Sequence, residues 1–110
     1  MSDESVIEHL ERTTREPLPA QLDEASKLLL KAAALIEVRG WVQGNFECSR
    51  GYCIGGAAIR ADTTLGRVVY PIALKRVSAS LGTFYVGWND TPGRTKDEVV
   101  AKLRAVALGG

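Results

Sequence analysis

The sequence predicts a mainly α, single-domain bundle of about four helices with an N-terminal extension. Three observations carry this expectation. An apolar stripe advances by 3, 4, 3 and 4 residues within 20–39, a capping box stands at Thr95-Lys96-Asp97-Glu98, and Pro71 and Gly82 frame another helical run. At 110 residues, 45% hydrophobic and 25% charged, the chain suits one soluble core and excludes wholesale disorder or a collagen-like repeat. Its apolar stretches fall short of the ~18 residues a membrane helix needs.

Residues 3–12 can form a short helix with Val6, Ile7 and Leu10 on one side, and Glu16-Pro17-Leu18-Pro19 reads as an extended linker. Residues 1–19 are therefore expected to be an acidic arm and proline linker, and 20–110 the helical domain. The main core helix is placed over Ala20 to Arg39, with Leu22, Ala25, Leu29, Ala32 and Ile36 as its stripe and Leu28, Ala33 and Leu35 widening it. Gly40 before Trp41 marks a left-handed helix end.

Residues 41–52 carry Gly44, Gly51 and Ser49-Arg50, which predicts a loop or a very short hairpin. A buried helix is expected over Tyr52 to Ala61, where Gly55, Gly56, Ala57 and Ala58 allow close approach of a neighbour. Asp62-Thr63-Thr64-Leu65-Gly66 is a turn, followed by the helix from Pro71 carrying Leu74, Val77 and Leu81. Val68-Val69-Tyr70 and Thr83-Phe84-Tyr85-Val86 have strand-like composition, so an α+β fold with a short two-stranded element is the alternative. The last helix begins at the capping box and buries Val99, Val100, Leu103, Val106 and Ala107.

The net charge of +1 hides an asymmetry: residues 1–24 hold seven acids against two bases, and the remainder holds twelve bases against six acids. Such a split suits an acidic arm that satisfies the body intramolecularly, or a nucleic-acid site using Arg60, Arg67, Lys75 and Arg76 with the arm as an autoinhibitory mimic. The bases form no dense cluster, so nucleic acid is not the expected partner.

Enzyme motifs for phosphate, zinc-protease or serine-hydrolase chemistry are lacking, and the lone His9 lies in the arm. Cys48 and Cys53 form no paired zinc signature, and aligning Gly93 with the glycine of a calcium loop puts Trp88 and Val99 at ligand positions. No metal or cofactor is expected, and Cys53 is expected to be a small core residue. The acidic Met1-Ser2-Asp3-Glu4 start lacks the basic and apolar pattern of a secretory leader, so a cytoplasmic location without membrane attachment is expected.

Two polar segments surround the tryptophans: Gly40-Trp41-Val42-Gln43-Gly44 and Gly87-Trp88-Asn89-Asp90-Thr91-Pro92-Gly93-Arg94-Thr95. With the Tyr52-Cys53-x-x-Gly56-Ala57 run between them, the chain resembles a family of small uncharacterised proteins of actinobacteria and their bacteriophages. The resemblance runs from about Ala25 to Ala107, and Trp-Asn-Asp-x-Pro-Gly-Arg-Thr is its most specific string. The arm lies outside it, and the Gly44–Tyr52 segment is shorter than typical. It implies an intracellular actinobacterial or phage context and brings no reaction with it.

The residues of this string admit two readings. Turn and capping chemistry, with Arg94 paired to Asp90, makes it a rigid lead-in to the last helix. Alternatively Trp41 and Trp88 wall a pocket in which Gln43, Asn89, Asp90 and Arg94 supply directional contacts to a ligand or partner. The preferred function is a non-enzymatic interaction protein acting on a host protein. The alternatives are the nucleic-acid binder, or an enzyme or small-ligand binder on the paired-tryptophan pocket.

Overall fold

Asp23 starts the central helix by accepting a hydrogen bond from the Ser26 N–H at 2.8 Å, and helix α1 follows over Glu24–Arg39. The computed structural model describes residues 22–109, so the readings of the arm, of the proline linker and of a helix start at Ala20 concern residues outside those described, while the helix itself begins at Glu24. Leu30 and Ala34 are buried in addition to the predicted stripe. The reason is that α1 is covered from several sides, which leaves only a narrow polar strip through Glu24, Lys27 and Lys31.

Gly40 ends α1 at φ 108°, ψ 166°. This is not the left-handed helical cap expected but an extended conformation with positive φ that only glycine adopts readily. The requirement is steric as well: a Cβ on Gly40 would lie 2.2 Å from the Arg50 carbonyl oxygen, and one on Gly51 2.2 Å from Gly40. The two glycines let a hairpin of β1 (Glu47–Cys48) and β2 (Gly51–Tyr52) lie against the chain leaving α1, with Glu47 opposite Tyr52 and Cys48 opposite Gly51. Tyr52 N–H donates to Gly40 O and Val42 N–H to Tyr52 O, each at 3.1 Å.

Helix α2 spans Ile54–Ala61, so Tyr52 and Cys53 precede it rather than open it. Cys53 is buried as expected and also caps the helix, its Sγ accepting from Gly56 N–H at 3.4 Å. Burial, partly offset by such hydrogen bonds, pushes its thiol pKa up. A Cβ on Gly56 would lie 1.7 Å from Phe46 O, where the hairpin arm rests on the helix backbone, and one on Gly55 would lie 2.8–2.9 Å from the Phe46 and Tyr85 rings.

Helix α3 (Tyr70–Leu81) has Pro71 in its first turn and ends on Gly82 in the left-handed conformation, φ 72°. A short helix α4 (Tyr85–Asn89) follows, and α5 occupies Lys96–Ala107. The strand alternative is thereby relocated: the two-stranded element is the 47–52 hairpin, whereas Tyr70 enters α3 and Tyr85–Val86 enter α4. Pro71 favours a helix start over a paired strand, and Tyr85 N–H is held by Ser78 Oγ at 3.1 Å, so tertiary anchoring overrides β propensity there. The result is a mainly α single domain with five helices among the described residues, with α1 packed against α2, α3 and α5.

The capping box of α5 is present in full: Thr95 Oγ1 accepts from Glu98 N–H at 3.2 Å and Glu98 Oε1 accepts from Thr95 N–H at 3.0 Å. Hydrogen bonds from Thr95 hold the Glu98 carboxyl below its ordinary pKa. Replacing Thr95 by Ala is expected to cost about 1 kcal/mol in urea titration. A neutral result would remove the cap from the account.

Candidate functional site

The segment after α1 and the segment after α4 meet side by side, joined through Asn89. Its side chain is 1% exposed and uses all of its hydrogen-bonding capacity. Oδ1 accepts from Trp41 Nε1–H at 2.9 Å and from Ile54 N–H at 3.1 Å; Nδ2 donates to Val42 O at 3.2 Å and to Asp90 Oδ1 at 2.9 Å. Asn89 thus ties the chain after α1, the first residue of α2 and the end of α4 into one joint.

Neighbouring groups extend the joint outward. Gln43 Nε2 donates to Asn89 O at 3.1 Å and Thr91 O at 2.9 Å, and Gly44 N–H donates to Asp90 Oδ1 at 3.0 Å. Thr91 Oγ1 donates to Gly87 O at 2.9 Å, closing the turn on α4. Of the six candidate residues, Trp41, Gln43, Asn89 and Asp90 are therefore brought together.

Trp88 and Arg94 form a separate pair. The Arg94 guanidinium lies 3.9 Å from the Trp88 ring centroid, its Nε donates to Trp88 O at 3.0 Å, and its Nη1 pairs with Glu98 at 3.1 Å. This corrects the expected Arg94–Asp90 pair: Asp90 is taken by Gly44 and Asn89, and Glu98 stands one helical turn beyond Arg94. The shared-pocket geometry is corrected too. The open depression beside Trp41 is lined by Trp41, Val42, Gln43 and Arg50, while Arg94 covers the Trp88 ring. A separate small cavity of about 80 Å³, lined by Phe46, Cys53, Val86, Asn89 and Asp90 among others, falls short of the ~300 Å³ of an ordinary ligand pocket.

The four basic candidates do not behave alike. Arg76 forms a two-pronged pair with Asp23, at 3.0 and 2.9 Å, and also donates to Ser26 Oγ. That hydrogen bond from Arg76 leads in holding the Asp23 carboxyl well below its ordinary pKa. Arg60, Arg67 and Lys75 are exposed on α2, on the α2–α3 loop and on α3.

Two features escaped sequence reasoning. Asp62 is 4% exposed and organises the α2–α3 loop: Oδ1 accepts from Thr64 N–H and Oγ1–H, and Oδ2 from Val69 N–H at 2.9 Å and Tyr70 N–H at 2.8 Å. It caps α3 from eight residues upstream, where Val69 supplies no side-chain cap. Burial raises its pKa, but the hydrogen bonds from Thr64, Tyr70 and Val69 outweigh burial and leave it below the ordinary value. The Asp-Thr-Thr turn was visible in the sequence; its distant partners were not.

The second feature is an exposed apolar face. A groove of about 430 Å³ is lined by Tyr70, Pro71, Leu74, Lys75, Phe84 and Tyr85 together with Ser78. It adjoins, through Tyr70, a shallower depression along Ile59, Leu65 and Arg67. Leu65 is 98% and Phe84 64% exposed, and Val68 and Ile72 are exposed nearby in sequence. The strand-like look of Thr83–Val86 was the sequence trace of this face.

Fold and site together define a small helical domain built around a closed asparagine joint, with an apolar face on α3. Residues 20–108 match a family of unknown function (DUF6197), and the chain belongs to that family. No curated protein and no solved structure matches it. Among the described residues no helix is long and apolar enough to cross a membrane, and none of their His, Cys, Asp and Glu side chains form a group of three or more able to hold a metal ion.

Proposed function

We propose that this protein is a non-enzymatic interaction module that binds a protein partner through the α3 face. The carrying observation is the pair of depressions that meet at Tyr70, one reaching Phe84 and the other Leu65, with large apolar side chains held open to solvent. Arg67 and Lys75 line the two halves, so the chemistry of the face suits a partner segment that is apolar on one side and acidic on the other. By contrast, the Asn89 side chain and Asp90 Oδ1 in the Trp-Asn-Asp string are engaged within the fold. The resemblance to actinobacterial and phage proteins makes proteins of such a host the first partners to test.

The test uses full-length protein as bait, with Phe84→Asp and Leu65→Asp variants beside it, followed by titration of the purified captured protein. Phe84→Asp is expected to weaken that protein's affinity at least tenfold, in line with loss of an aromatic anchor, while leaving the circular dichroism melt unchanged. Equal affinity for all three baits would contradict the reading. Retention of DNA instead, lost on Arg67→Ala with Lys75→Ala and steeply salt-dependent, would replace it with nucleic-acid binding.

A further inference from the structure

We infer that residues 3–12 of this same chain are the resident occupant of the α3 groove and compete there with the partner. The inference rests on the α3 face being the binding surface, and three observations carry it further.

The first is chemical complementarity. The segment places Val6, Ile7 and Leu10 among Asp3, Glu4, Glu8 and Glu11. The groove offers the inverse set: the Phe84, Tyr85, Tyr70 and Leu74 side chains with Lys75 at its edge, continuing to Leu65 and Arg67. Apolar side chains entering the groove would bring the carboxylates against the bases.

The second is where the described chain begins. Asp23 is clasped by Arg76 of α3, so the chain enters the domain against the helix that builds the groove, on the flank turned away from Tyr70, Leu74 and Ser78. The third is reach. The ten residues from Arg12 to Leu22 span up to roughly 33 Å when extended, at ~3.3 Å each. The described domain measures 35 × 30 × 30 Å, so that span is comparable to its width and exceeds the ~10–12 Å diameter of the one helix it has to pass round. Linkage in one chain replaces a weak bimolecular contact by an effective concentration in the millimolar range.

The test compares full-length wild type with a full-length Val6→Asp, Ile7→Asp, Leu10→Asp variant, both isotopically labelled. Wild type is expected to show nuclear Overhauser contacts from the Ile7 and Leu10 methyls to the Phe84 and Tyr70 rings. The variant should lose them and shift the amides of Leu65, Arg67, Lys75 and Tyr85. Identical groove signals in the two proteins would overturn the inference, as would wild-type groove shifts that grow with protein concentration, which would mark a second copy as the occupant.

A second arm separates this inference from the reading beneath it. If the segment fills the groove about nine-tenths of the time, the variant should bind the captured partner roughly tenfold more tightly. Contacts present with unchanged partner affinity would retain the occupant and overturn its role as competitor. Contacts absent while Phe84→Asp still abolishes binding would retain the binding face and overturn the occupant.

Discussion

Asn89→Ala is expected to destabilise the domain by about 3–4 kcal/mol, because it removes four hydrogen bonds and leaves partners behind in a buried or half-buried setting. The Ile54 N–H at the start of α2 and the Val42 carbonyl lose their side-chain partner, and the Trp41 indole N–H must find water. An ordinary domain of this size is stable by ~5–15 kcal/mol, so the loss is a large share of the total. A thermal melt should fall by roughly 15 °C or more, given ~4–8 °C per kcal/mol for a domain of 60–100 residues. A loss under about 1 kcal/mol would mean that Trp41 and α2 are held by packing alone.

Asp62→Asn is the second large effect, expected at about 2–3 kcal/mol at pH 7, since charge-assisted hydrogen bonds are replaced and an amide N–H₂ is turned toward backbone donors. The sign of its pH dependence follows from the depressed pKa of Asp62 in the folded state. The carboxylate's contribution is complete above the unfolded value of ~3.9 and is lost as pH falls through the folded value. Urea titrations should therefore show the gap between wild type and Asp62→Asn at its widest near pH 7, narrowing below about pH 4. A gap that widens on acidification would show that the loop is not held by the ionised carboxylate.

What could be read from the sequence was local. The α1 stripe, the first-turn Pro71, the Gly82 terminus and the Thr95–Glu98 box each act within a turn or two, and each appears where the residues place it. The Gly55–Gly56 pair announced a close neighbour, though not that Gly56 faces the Phe46 backbone and Gly55 the Phe46 and Tyr85 rings. Asn89 was legible only as a member of a polar string. Its partners lie 35 to 48 residues away, and nothing in the spacing of Trp41, Val42 and Ile54 signals that one amide serves them all.

The apolar face was hidden for a related reason. Phe84 and Tyr85 have strand-like composition, and the fold instead uses them at the start of a five-residue helix, with Tyr85 anchored on Ser78 and Phe84 left outside. Arg76 looked like its basic neighbours until the structure showed Asp23 within reach. Charge composition counts side chains, and only the packed chain shows which of them are engaged.

The hydrogen bonds of the Trp41–Asn89–Asp90 joint lead to the expectation that it behaves as a closed structural element rather than a site awaiting a ligand. Hydrogen exchange at the Trp41 indole N–H, followed by NMR, tests it most directly, since that proton is donated to Asn89 Oδ1 at 2.9 Å although the ring itself is half-buried. The account predicts exchange as slow as that of the Ile54 amide, which shares the same acceptor, with both opening only near the free energy of global unfolding. Indole exchange at the rate of a free tryptophan, with Ile54 still protected, would show the joint standing open and return Trp41, Gln43, Asn89 and Asp90 to the list of ligand contacts.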